Sequence, residues 1–144
     1  MYGFRLAGGD IAVRGDGNVS VVTGAERIKQ ELACWLLEPL GTDVLYPGFG
    51  STLRDIIGSP MLEEYMSRVR SEVARVVGNY IEYQKNQINE SIMASEVDFL
   101  TNWQEDDVIT DVGGIRMSMM ADELHVRVEL RLAGGENVVV EYSI

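Results

Sequence analysis

"GIRMSMMADELHVRVELRLAGGENVVVEYSI", Gly114 to Ile144, is the stretch on which the fold turns. Ile115, Met117 and Met119 alternate with Arg116, Ser118 and Met120. Leu124, Val126, Val128, Leu130 and Leu132 alternate with His125, Arg127, Glu129 and Arg131. Such a period of two puts one set of side chains on each face of a strand, so these are half-buried strands. "ADE" and "AGGEN" are hairpin-length connections, and Asn137 to Ile144 makes a last strand, so residues 112–144 read as an antiparallel meander. In "NVVVEYSI" three consecutive valines make both faces apolar. An edge strand of that kind invites pairing by another chain through β-augmentation.

Upstream the period lengthens. From Gly24 to Glu38, the residues Ile28, Leu32, Trp35 and Leu36 fall on one helical face, with Glu26, Arg27, Lys29 and Glu31 around the rest. Pro39 ends this helix by pushing its predecessor out of helical φ/ψ. Ser51 is placed to cap a short helix with Leu53, Ile56 and Ile57 inward and Gly58 closing it. Ser59 and Pro60 then start a long helix striped by Leu62, Met66, Val69, Val73, Val76, Val77 and Tyr80. The polar stretch 81–111 holds no sustained period. It allows a continued or separate helix near Gln87 to Ser95 and a further turn at its acidic end. Residues 1–22 read as extended pieces, Phe4 to Leu6, Ile11 to Val13 and Val19 to Val22, split by the turn sequences "AGGD" and "GDGN". Short strands, a helical part over 24–95 and a meander over 112–144 make a single α+β domain, its helices packed on one face of the sheet.

Composition narrows the function classes. Of 144 residues 46% are hydrophobic, enough for one core, and 12 basic against 23 acidic residues give a net charge of −11, which repels nucleic-acid phosphates. Arg68, Arg70 and Arg75 are interleaved with Glu63, Glu64 and Glu72 as on a solvated helix face. The single cysteine, Cys34, sits in an apolar run and excludes an internal disulfide. The first residues lack the pattern of a signal peptide and no run is long enough for a membrane span, so a soluble protein made inside a cell is expected.

The glycine-rich stretch "GTDVLYPGFGSTLRDIIG", Gly41 to Gly58, fails as a phosphate cradle. Leu53 stands where a dinucleotide fingerprint needs its third glycine, and "GFGST" has no P-loop lysine. His125, the only histidine, lies on the outward phase of a strand without a ligand set or a serine or cysteine to activate. "QEDD" and Asp111 lack calcium-loop spacing and read as a solvated helix end, while Asp10 and Asp16 flank turns. Glu38 and Asp43 border an aromatic loop, but nothing marks either as a desolvated acid. No catalytic residue, metal site or cofactor is therefore assigned. Leu45, Tyr46, Pro47 and Phe49 are apolar for a loop, and either cover helix ends or meet a partner.

A helix ending in "LACWLLEPLGTDVLYPGFGSTLRDIIGSP", a long helix and a C-terminal meander together resemble the phage baseplate-wedge family typified by gene product twenty-five. This is the sheath-initiator, "lysozyme-like" family shared by contractile phage tails and type VI secretion baseplates. The resemblance covers Gly24 to Ile144, and "GDIAVRGDGNVSVVTGAERIKQEL" is also typical of the phage branch. It implies that Pro47, Phe49, Gly50, Ser51 and Leu53 form the family's turn into its short helix, with Phe49 packed inward and Ser51 capping. The family's Glu-Pro-Arg motif near the end of the long helix is replaced here by "NYIEYQKN". Only Glu82, displaced, can stand in for that wedge contact, since Glu38-Pro39-Leu40 lies in another element. The resemblance further implies a non-enzymatic structural part of a tail baseplate, made in the host cytoplasm and present in several copies in the virion. Its partners would be wedge proteins and the tail sheath, with a sheath arm adding to the C-terminal sheet in a register set by Val138, Val140 and Tyr142. A muramidase-like enzyme and a small adaptor on the same fold remain as alternatives.

Overall fold

The computed structural model describes residues 1–56, 63–94, 103–120 and 123–143. Its class is α+β. Strands β1 (Tyr2–Phe4), β2 (Leu6–Ala7), β3 (Asp10–Ile11) and β4 (Val21–Thr23) precede the helices α1 (Gly24–Leu37), α2 (Leu53–Ile56) and α3 (Glu63–Ala94). A 3-10 turn (Glu105–Asp107) and the strands β5 (Ile109–Met120), β6 (Glu123–Leu132) and β7 (Asn137–Ser143) follow. The last three form an antiparallel sheet in the order β5-β6-β7.

Alternation in the meander translates directly into layers. Leu124, Val126, Val128, Leu130 and Leu132 of β6 and Val138 and Val140 of β7 are buried, and they meet Ile28, Leu32 and Leu36 of α1 and Val69, Val73, Val76 and Val77 of α3 in one core. Each such side chain contributes about 1.5–3 kcal/mol on leaving water, so this layer of helix on sheet is the main driving term. The opposite face carries Arg116, Arg127, Arg131 and Glu141 and stays wet.

Elements run past the sequence signals in two places. β5 begins at Ile109 rather than near residue 112, because register shifts between Ile109 and Asp111 and between Val112 and Gly114 scramble the alternation that would have revealed it. α3 continues unbroken to Ala94. Its apolar stripe stops at Tyr80, and Ile92 and Met93 project into solvent. No glycine or proline interrupts residues 81–94, and extending an existing helix by one hydrogen-bonded residue is cheap once the nucleus is formed. The expected roles of Ile57, Gly58, Ser59, Pro60 and Leu62 lie outside the described residues.

The N-terminal pieces pair more intimately than separate strands would. β1 pairs with β4 and β2 with β3, and Val13 bridges to Val19. Three backbone bonds close a ring: Arg5 N–H donates to Ser20, Ser20 N–H to Ala12, and Ala12 N–H to Arg5, at 2.8–2.9 Å. The cross-strand pairs Phe4/Val21, Leu6/Ile11 and Val13/Val19 all remain exposed.

Two charged groups assigned to solvent are buried. Arg27 is only 1% exposed, and Asp107, the last residue of "QEDD", is likewise inside. The Asp107 carboxylate accepts hydrogen bonds from the Met1 amino group (2.6 Å), the Gly24 amide at the start of α1 (3.0 Å) and the Gln104 amide (3.2 Å), with Arg27 Nε 3.5 Å away. Arg27 Nη1 donates to both oxygens of Glu31, which also accepts from the Tyr80 hydroxyl at 2.7 Å. Gln84 of α3 completes the node, donating to the Asp107 carbonyl (2.7 Å) and accepting from the Ile109 amide (2.8 Å).

Gly78 lies exposed inside α3, and a methyl group there would meet nothing within 4 Å. Gly78→Ala should therefore raise stability by about 0.5–1 kcal/mol in urea unfolding, through the backbone entropy it removes from the unfolded chain.

Candidate functional site

Three regions were singled out by sequence: the Gly48–Leu53 corner, the terminal strand, and Glu82. The corner is held from both helices. Ser51 Oγ donates to the Leu36 carbonyl at the end of α1 (2.6 Å) and accepts from the Leu53 amide (3.3 Å), so its capping of α2 is the weaker of its two bonds. Ser51 N–H donates to the Glu38 carbonyl and Leu40 N–H to Ser51, forming a parallel bridge with Pro39. From α3, Arg75 Nη2 donates to the Gly50 carbonyl (2.9 Å), while Glu72 accepts the Thr52 amide (2.7 Å) and holds Arg75 at 2.7–2.8 Å. Arg75 and Glu72 are thus clamps on the corner, not members of a solvated face.

Gly50 alone of the two corner glycines has a positive φ, +94°. A Cβ there would stand 2.6 Å from the Glu38 carbonyl oxygen and 2.7 Å from that of Pro39. Gly48 lacks a positive φ, and a Cβ there would meet only the Asn79 side-chain amide, at an ordinary contact distance of 3.4 Å. Phe49 packs edge-on against Trp35 at 4.8 Å, as a plug should, and Leu53 is buried. Pro47 is exposed, as are Val44 (90%) and Leu45 (83%). Asp43 accepts the Leu45 and Tyr46 amides and Glu38 accepts the Thr42 hydroxyl, so both carboxylates of the aromatic loop take part in local turns.

β7 is an edge of its sheet, with β6 on one side and no strand on the other among the described residues. Its backbone polarity can be read from the hairpin. Leu132 N–H donates to the Glu136 carbonyl at 2.8 Å and Gly135 adopts φ +84°, the three-residue loop with a glycine bulge. Pairs alternate from there, so Val138, Val140 and Tyr142 spend their N–H and C=O groups on β6. Asn137, Val139, Glu141 and Ser143 direct theirs to the free edge. The side chains of Val138 and Val140 are buried beneath the helices, with Tyr142 packed beside them, so these three residues serve the core rather than face a partner. Val139 is the one valine of the three on the outer face, where its cross-strand neighbour is Glu129. That face is polar, not apolar.

The outer face also brings Ser143 Oγ to 3.0 Å from His125 Nδ1, with Glu123 3.7 Å from Nε2. A serine beside this histidine was not anticipated, because the two are 18 residues apart and meet only through the β6–β7 register. The Glu123 contact exceeds hydrogen-bond length and the serine is exposed, so the visible effect is to pin the end of β7 to β6.

Glu82 is exposed on α3 and lines a groove of about 330 Å³ that Pro47 and Phe49 also line. The corner and the helix position singled out for partner contact are therefore neighbours in space. Trp35, Tyr46, Phe49 and Tyr83 form the wall between this groove and a second cavity of about 310 Å³, which Glu31, Asp43 and Trp103 also line. This aromatic wall could not be read from spacing, because it joins α1, the corner loop and α3. No protein-family model, no curated protein and no solved structure matches the chain.

Gly50→Ala should cost about 2–4 kcal/mol in chemical denaturation, from strain at positive φ plus the clash with two fixed carbonyls. A pH dependence follows from Glu72, whose carboxyl is held at about 2 by the Arg75 hydrogen bond, partly opposed by burial and reinforced by the Thr52 amide. Its folded value lies below the ordinary 4.5, so its stabilisation is complete above about 4.5 and is lost as the pH falls through about 2. Glu72→Gln should lower stability by about 1–2 kcal/mol at pH 7, allowing for the exposure of Arg75, with the gap from the parent closing near pH 2.

Proposed function

We propose that the chain is a non-enzymatic structural part of a contractile phage tail baseplate. In this reading it joins wedge proteins near the tube and templates the sheath by accepting a strand onto its C-terminal sheet. It would be made in the host cytoplasm and act in several copies within the virion. The observation that carries the proposal is the free edge of β7, which offers the outward N–H and C=O groups of Asn137, Val139, Glu141 and Ser143. A visiting strand gains a ladder of backbone hydrogen bonds there without any change in the host sheet. The clamped corner supports the same reading in a different way. A template must hold its shape under load, and the corner ties α1 and α3 together by side-chain bonds to backbone atoms.

Backbone polarity selects the test. Val139→Pro removes an outward donor and should leave the monomer folded, with an unchanged circular dichroism spectrum, because edge strands tolerate a lost N–H. Virions carrying it should show naked tubes under negative stain. Sheathed particles at parental frequency would refute strand addition at this edge. Val140→Pro is the contrasting variant: it deletes a bond to β6 inside the core, leaves the Val128 carbonyl without that donor, and should destabilise the monomer by about 1–3 kcal/mol.

A further inference from the structure

The trench between the corner loop and α3 matches a partner of definite chemistry. Tyr46 meets Tyr83 edge-on at 5.2 Å, and Tyr83 lies 5.7 Å from Trp35, so α1, the loop and α3 supply one continuous aromatic wall. Carboxylates stand on both sides of it: Glu82 and Glu90 along the outer groove and Asp43 in the inner cavity, where Glu31 is already neutralised by Arg27. Among the described residues, no lysine or arginine lines the outer groove. In the inner cavity the guanidinium of Arg27 is already committed to Glu31 and Asp107, and the Met1 amino group to Asp107. Above the rim, Val44 and Leu45 hold apolar side chains almost fully in water.

Aromatic faces bordered by uncompensated carboxylates attract ammonium and guanidinium groups, through the ring quadrupole and through direct charge. The exposed Val44–Leu45 pair would cover the apolar residues of the same ligand. We propose that this trench docks a basic, amphipathic segment of another protein, with its lysine or arginine side chains between the aromatic wall and Glu82, Glu90 and Asp43. A second copy of this chain does not fit, since each brings a net charge of −11. An anionic lipid surface is disfavoured for the same reason. The inference rests on the trench and not on the β7 edge, so it stands or falls separately from strand addition there; within the tail reading it would give chemistry to the wedge contact for which Glu82 stands in.

The two tryptophans of the chain, Trp35 and Trp103, both line the inner cavity, so intrinsic fluorescence reports on the site. The probe is an 18-residue leucine–lysine amphipathic peptide, with its leucine–glutamate counterpart as control, titrated into the full chain at about 0.1 M salt. The lysine peptide should change tryptophan emission saturably and the glutamate peptide should not. Glu82→Gln with Glu90→Gln should weaken binding about tenfold, at a few-fold per exposed carboxylate. Glu105→Gln with Glu136→Gln removes equal charge elsewhere and should change it less than twofold. Tyr46→Ala should weaken binding while the far-ultraviolet circular dichroism stays at the parental value. Equal weakening by the two charge-neutralised pairs would reduce the effect to bulk charge and overturn the proposal. Binding of both peptides alike, no response to either, or preferential binding to phosphatidylserine vesicles would overturn it as well.

Discussion

A carboxylate taken out of water must be compensated by charge or by several hydrogen bonds, and Asp107 receives both. Its oxygens meet the amino group of Met1, the first amide of α1 and the Gln104 amide, with Arg27 alongside. Burial pushes the Asp107 carboxyl up, but the Met1 amino group, the Gln104 amide and Arg27 outweigh it and hold it below the usual aspartate range. In turn Arg27, the largest fully buried side chain among the described residues, needs Glu31, and Glu31 engages Tyr80 of α3. Through this chain of obligations the N-terminal strand, both long helices and the entry to β5 are fixed relative to one another. Removing one member would leave another buried and unpaired, so the node specifies the arrangement that the nonspecific helix-on-sheet core only favours.

The corner repeats the same logic at the other end of α1. Its carbonyls and amides cannot all be satisfied within so tight a turn, and they are paired with Ser51, Arg75 and Glu72. Gly50 is required because two carbonyl oxygens occupy the space of a side chain. Once the turn is closed, the residues before it, Val44 to Pro47, have no core left to enter. They therefore stand in water beside α3, where they form the rim of the aromatic trench.

Two surfaces of different character result. The β7 edge offers backbone groups in a fixed register and selects for an extended chain. The trench offers rings and carboxylates and selects for positive charge. They lie on different elements, so the two proposed contacts do not compete for the same residues.

Much of the fold was legible in sequence because binary pattern alone carries it. Alternation in β6 and the stripe from Val69 to Tyr80 stated which faces are buried, whereas the run of valines in β7 hid that only one of its faces is. The glycine, phenylalanine and serine of the corner marked a tight turn. The tail of α3 and the start of β5 were hidden, since a helix tail whose one fully buried side chain, Gln84, is polar and a strand with bulges leave no hydrophobic period to detect. Arg27, Glu72, Arg75 and Asp107 look like surface charges in sequence. Only tertiary structure could show otherwise, because beyond the neighbours on their own turns (Glu31, Arg75 and Glu72, Gln104) the groups that tie them into the fold lie about 20 to more than 100 residues away. The same holds for the site. The sequence by itself determined that the last strand is apolar and suited to an edge. Which of its residues turn their backbone groups to the free edge was decided by the hairpin register, since a shift of one residue exchanges the paired and free groups.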